Sequence, residues 1–335
     1  MKSVLLLAPP FFDYYRDIVE ELNRRGYRVD YRSDRPVNTV LFKSVSRMSY
    51  RIVDAYISAY IDGLVELAEY TRPDIVLFVG GMSFPFSHDQ FARLKKAASF
   101  ARFIAYFWDS IGNCQRILEN LNNFDRILSF EKSDCDEYGL LYLPLFCSSE
   151  YRTVATSGDR SKRLAACFVG SVHQIEKFER VDAMVRDLRQ AGLEVFTHYY
   201  MPSRSVAALR RLRHPIYRSA DLRFKPMMRQ SILELYSEAT AVIDSPQQNQ
   251  EGFTMRSIEA LMAGRRLLTT NAAIRDSVLY ESGNVAIWTG PGSVDPTFFR
   301  APANPIPEKV INQFSLKCWC DVVLGEDNAA CEATG

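Results

Sequence analysis

Thr240-Ala241-Val242-Ile243-Asp244 is a short apolar run, and it is followed by the polar loop Ser245-Pro246-Gln247-Gln248-Asn249-Gln250-Glu251-Gly252-Phe253. Thr254 to Ala263 then reads as a helix, and Arg266 to Thr270 is apolar again. Strand, helix and strand in this order form one unit of a parallel sheet. The same alternation fills the rest of the chain. In the first half, Ser3 to Ala8, Tyr27 to Tyr31, Asp74 to Val79, Arg102 to Trp108, Asp125 to Phe130 and Leu140 to Leu145 read as strands. Ser3 to Ala8 is continuously apolar, as a strand buried on both faces requires. Between the strands lie a helix from Asp13 to Arg25, closed by Gly26, and one from about Tyr50 to Tyr70. In the latter, Val53, Ile57, Tyr60, Ile61, Leu64 and Ala68 share one stripe. In the second half, Ala165 to Val169, Leu193 to Tyr199 and Val285 to Trp288 add strands, while Ile175 to Leu188, Gln230 to Glu238 and Pro307 to about Val323 add helices. The expected fold class is α/β, with two doubly wound domains facing an interdomain cleft.

Composition sets the boundaries. Residues 1–147 make the first domain, and 148–163, rich in Ser, Thr, Arg and Gly, read as a linker. Residues 164–306 make the second domain, 307–324 a final helix that can return to the first, and 325–335 an acidic, small-residue tail expected to fray. With 335 residues, 47% of them hydrophobic and 24% charged, the chain has the composition of a soluble globular protein of two domains. Forty-one basic against 40 acidic residues give a net charge of +1, which argues against a dedicated nucleic-acid binder. The longest stretch free of charge, Ile75 to His88, is 14 residues, short of the roughly 20 needed to span a bilayer. Val4 to Ala8 is too short for a signal peptide. Seven cysteines without a CxxC pair or a His cluster read as reduced thiols in a cytosolic protein.

Ligands of doubly wound sheets bind beyond the carboxyl ends of the strands. Those positions hold Asp13 after the first strand, Gly80-Gly81 after the third, Trp108-Asp109-Ser110 after the fourth, and Gly170-Ser171-Val172-His173 after the first strand of the second half. The loop after Asp244 is the most informative. It runs through Glu251 and Gly252 into a helix that carries Thr254, Met255, Arg256 and Glu259. Amides at a helix start and an arginine beside them bind an anion such as a phosphate. A capped surface helix, with Glu259 paired to a base, is the plain alternative.

Glu251 and Glu259 enclose seven residues. This segment resembles the Glu-x7-Glu donor segment of GT-B glycosyltransferases. With Leu268-Thr269-Thr270-Asn271, Phe168-Val169-Gly170-Ser171 and Tyr106-Phe107-Trp108-Asp109-Ser110, it is similar to bacterial lipopolysaccharide and capsule glycosyltransferases. The resemblance implies a nucleotide-sugar donor held by Gly170, Ser171, His173, Lys225, Glu251, Gly252, Thr254, Met255, Arg256 and Glu259, without a metal and with no cofactor beyond the donor substrate. It further implies a saccharide or lipid-linked acceptor on the first domain. The chain departs from the retaining families in its first loop, Pro9-Pro10-Phe11-Phe12, which has no glycine, and in having Asp109 at a strand end. Asp109 or Asp13 then stands as a base toward the acceptor hydroxyl, with a helix N-cap as the alternative for Asp109.

Arg204 to Arg229 holds eight basic residues against the single acid Asp221. A solvated face accounts for most of them. The sharper reading assigns Lys225 to the leaving diphosphate and the others to anionic lipid at the inner face of the plasma membrane. Asp134-Cys135-Asp136 spells a metal motif but reads as helix surface, and Cys318-Trp319-Cys320 as packing of the last helix. Two rivals remain: a non-catalytic nucleotide-sugar-binding scaffold, and a sugar-nucleotide epimerase of similar fold.

Overall fold

The computed structural model describes residues 1–10, 13–37, 50–81, 84–156, 163–247 and 250–326. Phe11, Phe12, Gln248, Asn249, residues 157–162 and the tail from 327 lie outside the described residues. The chain divides into two compact units, Met1–Pro144 with Leu316–Gly335, and Leu145–Ser315.

The first unit is built on a six-stranded parallel sheet, β1 (Ser3–Leu7), β2 (Arg28–Arg32), β3 (Ile75–Gly80), β4 (Arg102–Phe107), β5 (Arg126–Ser129) and β6 (Leu141–Tyr142), in the order β2-β1-β3-β4-β5-β6. Residues of β1 and β3 are all buried, because helices cover both faces. Helices α1 (Tyr14–Arg24), α2 (Tyr50–Thr71) and α3 (His88–Ala97) supply apolar stripes to that cover. In α2 the stripe Ile57, Ile61, Leu64 and Ala68 packs into a core rich in phenylalanine, with Phe78, Phe84, Phe86 and Phe91 fully buried.

The second unit repeats the plan. Strands β7 (Leu164–Ser171), β8 (Val195–Tyr200), β9 (Leu222–Arg223), β10 (Ala239–Asp244), β11 (Arg266–Thr269) and β12 (Val285–Ile287) run parallel in the order β12-β11-β10-β7-β8-β9. Its helices include α4 (Ser149–Thr156), α5 (Ile175–Gln190), α6 (Arg204–Arg213), α7 (Arg229–Glu238), α8 (Met255–Met262) and α9 (Glu308–Gln313). The stripe Phe178, Val181, Met184, Val185 and Leu188 buries α5.

Three sequence expectations change. Much of the expected linker is α4, which packs through buried Tyr151 and Val154 against α7 and α8; three apolar residues in eight were too few to mark a helix. The expected last helix is two, α9 and then α10 (Leu316–Leu324), broken at Phe314-Ser315, where the Cys147 amide donates to the Phe314 carbonyl at 2.7 Å. Cys318 is disulfide-bonded, whereas Cys114, Cys135, Cys147, Cys167 and Cys320 are free and buried. A cysteine count carries no distances, so it could not separate the two classes.

Helix α10 belongs to the first unit. Trp319, 1% exposed, sits edge-on to Tyr106 with centroids 4.9 Å apart. Arg25 pairs with Asp321 and, at 2.8 Å, with Glu21. The carbonyls of Val322 and Leu324, at the negative end of the helix, accept from Arg126 at 3.0 Å and Arg102 at 2.9 Å. Trp319→Ala is expected to destabilise the first unit by about 3–5 kcal/mol. Hydrogen exchange should show protection lost across β4 and β5 while β7 and β10 keep theirs.

Candidate functional site

The second sheet changes direction between β7 and β10: the chain winds outward through β8 and β9, then returns to the other side of β7. Such a switch point leaves a crevice beyond the carboxyl ends of the two strands. There β7 delivers Gly170 and Ser171, and β10 delivers Asp244.

Asp244 has no exposed side-chain surface. It accepts from the Thr254 hydroxyl at 2.7 Å, the Ser257 hydroxyl at 2.9 Å and the Arg256 guanidinium at 2.5 Å. Thr254 is also the N-cap of α8, accepting from the Ser257 amide at 3.2 Å. Burial opposes ionisation of Asp244, but Arg256, Lys177 and the two hydroxyls outweigh it and hold the carboxyl below its ordinary range. Arg256 lies over the Phe168 ring, 5.3 Å from its centroid, and against Gly170. A Cβ at residue 170 would stand 2.7 Å from Arg256 Nη2 and 2.9 Å from Phe168 Cζ, so glycine is what lets the guanidinium settle there. One-fifth of the Arg256 side chain, 20%, remains exposed.

Two further cations come from the first turns of α5. Arg180 donates to the Ser245 hydroxyl and the Pro246 carbonyl, each at 3.0 Å. Burial pushes the Lys177 ammonium down to about 8; Arg256 and Arg180 add repulsion and Asp244 opposes it. Gln174, the N-cap of α5, makes no side-chain capping bond and instead reaches Gln247 at 3.1 Å. Lys177, Arg180 and Asp244 escaped the sequence reading. Their signal was present, since Lys177 and Arg180 lie three apart just after Gly170-Ser171 and so share a helix face, while Asp244 closes an apolar strand.

The other expected donor residues are distributed as follows. His173 Nδ1 is 2.7 Å from the Ser171 hydroxyl, at the end of β7. Glu251 is exposed, and its carbonyl accepts from Asn271 at 2.9 Å, with the Gly252 carbonyl at 3.5 Å. Met255 is part-exposed at the start of α8. Glu259 is 5% exposed, close enough to Arg256 to favour its charged form. Lys225 is exposed beyond the edge strand β9, where its carbonyl accepts from His198 at 3.0 Å. Three strand steps separate β9 from β10, about 14 Å of sheet, so Lys225 is not brought to the Asp244 cluster.

In the first unit the switch point lies between β1 and β3. Asp109 stands beyond the carboxyl end of β4 and presses its carboxylate on Gly81, where any Cβ would overlap it. The N-cap of the following short turn, Ile111–Asn113, is Ser110. Asp134 corrects the surface reading given to it: it is 4% exposed, and accepts from the Ile111 amide at 2.7 Å and the Ser110 hydroxyl at 3.2 Å. Its inward turn serves a loop 23 residues earlier, which local spacing cannot reveal. Asp13 caps α1 in the left-handed region at φ 59°, without a side-chain capping bond, and is 3.4 Å from Arg16. Tyr14 and Trp108, the neighbours of Asp13 and Asp109, meet edge-on with centroids 6.5 Å apart. Both carboxylates therefore stand at the same edge of the sheet.

No protein-family model matches the sequence, and no curated protein matches it. Solved structures do. An alpha-glucosyltransferase in complex with UDP and a 13-mer DNA aligns with TM-score 0.54 and 11% identity, over 88% of this chain and 83% of that one. A putative UDP-N-acetylglucosamine 2-epimerase from Listeria monocytogenes aligns at 0.51 and 12%, over 98% and 97%. The catalytic domain of starch synthase IV from Arabidopsis thaliana, bound to ADP and acarbose, aligns at 0.50 and 9%, over 99% and 95%. At these identities the likeness is one of fold. Two six-stranded parallel sheets flanked by helices make this a GT-B fold of two Rossmann-like domains.

Asp244→Ala would leave Arg256 without its counter-ion. The expected loss is about 2–4 kcal/mol of second-unit stability, a little below the range for fully buried pairs because Arg256 keeps an open side. Hydrogen exchange at β7 and β10 measures it.

Proposed function

We propose that the protein is a metal-independent glycosyltransferase, moving a hexose from a nucleoside-diphosphate donor to a saccharide or lipid-linked acceptor. The observation that carries this reading is the convergence of Arg256, Lys177 and Arg180 at the β7–β10 switch point. In the reaction the anomeric carbon's bond to the diphosphate oxygen breaks and its bond to the acceptor oxygen forms. The acceptor proton passes to a base, and negative charge gathers on the departing diphosphate. Fixed cations and helix amides aimed at that charge lower the barrier. Asp109 is assigned as the base, with Asp13 as the alternative. Glu251, Gly252, Thr254, Met255 and Glu259 frame the donor site with Gly170, Ser171 and His173. The resemblance of these segments to lipopolysaccharide and capsule enzymes supports a cell-surface saccharide as acceptor and a reaction in the cytoplasm.

A sugar-nucleotide epimerase is the second reading, favoured by the near full-length likeness to the Listeria protein. One experiment separates the two. After donors ranked by thermal shift are incubated with and without a saccharide acceptor, a glycosylated acceptor supports transfer, and an epimerised nucleotide-sugar formed without acceptor overturns it.

Protonated Lys177 attracts a diphosphate; neutral Lys177 does not. Affinity for the nucleoside diphosphate is therefore expected to fall as pH rises through about 8, because binding must then be preceded by proton uptake. Lys177→Arg should flatten the profile in calorimetric titrations between pH ~7 and ~9.

Asp109→Asn is expected to fold, to bind nucleotide as before, and to lose at least ~100-fold in transfer rate. Single-turnover kinetics would read this. Loss on Asp13→Asn instead moves the base to the first loop, and full activity in both variants overturns a side-chain base.

A further inference from the structure

Helix α6 carries its large apolar side chains outward. Its one buried residue is Ala207. By helix geometry Leu209 and Leu212 point within about 40° of the direction opposite Ala207. They are 47% and 76% exposed, and Val206 on the same flank is 38% exposed. Arg213 shares this outer face, whereas Arg210, about 120° from its apex, turns toward the buried Tyr217. Residues 204–219 hold five arginines and no Asp or Glu.

The helix is firmly mounted. Ser203 caps its start, accepting from the Val206 amide at 3.3 Å. At its other end Arg218 donates to the carbonyls of Arg211 at 2.9 Å and Leu212 at 3.3 Å. Arg211 donates to the Tyr217 carbonyl at 3.2 Å. Tyr217, fully buried, anchors this segment through its hydroxyl to the Val172 carbonyl at 2.7 Å. Leu209 and Leu212 therefore belong to an ordered face and are not the side chains of a frayed end.

We propose that α6 is a membrane-surface contact that lies in the headgroup region of an anionic bilayer. Leu209 and Leu212 enter the acyl boundary, and Arg213 and Arg218 meet lipid phosphates. A helix with an aliphatic apex and basic flanks gains from both phases of such an interface. Single-stranded nucleic acid matches the charge but draws on aromatic side chains for stacking, and α6 offers leucines at its apex. The inference does not rest on the transferase reading, since vesicle partition is independent of donor chemistry.

Flotation of the full chain with phosphatidylcholine vesicles, with and without phosphatidylglycerol, tests it. Binding is expected on the anionic vesicles, weakening with salt. Arg213→Ala should lower partition by roughly fivefold, and Leu209→Ser with Leu212→Ser by at least about tenfold. The tryptophan of Leu212→Trp should shift its emission to the blue on anionic vesicles and be quenched by acyl-chain quenchers. All these positions are on the surface, so nucleotide binding should stay as in the parent chain. Equal binding to neutral vesicles, or no binding at low salt, overturns the proposal. So does binding that ignores the leucines and is competed away by an oligonucleotide, which would assign the face to nucleic acid.

Discussion

A carboxylate without exposed surface, Asp244, sits at the end of β10 and accepts from three side chains of one helix start. An unpaired charge in that place would be costly, so Thr254, Arg256 and Ser257 are held as a set. The set fixes where α8 begins relative to the strand before it. It also determines where the Arg256 guanidinium lies, over the Phe168 ring and against Gly170. Lys177 and Arg180 approach from α5, and the charge of Asp244 offsets part of the repulsion among the three cations. The stability of the switch point and its attraction for anions thus have one source.

The first unit divides its two sheet edges between different tasks. Asp13, Gly81 and Asp109 gather where the strands end. Arg102 and Arg126 are the first residues of β4 and β5, and they hold the carbonyls of α10 from the opposite edge. Parallel strands make this separation automatic, because every carboxyl end lies on one side. Packing of the terminal helix therefore draws Arg102 and Arg126 from the edge opposite the one that carries the candidate base.

The sequence was legible where one segment decides its own structure. Continuous apolar runs marked β1, β3, β4, β7 and β10, and the turn into α8 could be read from its polar loop and the helix after it. Elements too short for a pattern, such as Leu222–Arg223, left no trace. Asp134 could not be read, since its partners are a hydroxyl and an amide in another loop. Lys225 showed the limit of counting charge: the basic run was real, but only strand order places it beyond an edge strand three steps from the one that ends in Asp244. Lys177 lay outside that run, and its position beside Asp244 depends on how α5 packs.

The chain enters the second unit after Pro144 and leaves it at Ser315, so the second unit is an insertion within the first. During synthesis the first sheet emerges early, yet Tyr106 lacks the Trp319 ring, Arg25 lacks Asp321, and Arg102 and Arg126 lack their carbonyl acceptors, until α10 has left the ribosome. The inserted unit has its own sheet and core and can reach its folded state during that wait. Completion of the first unit is thus deferred to α10, and a nascent chain halted before Leu316 has one unit closed and the other still open.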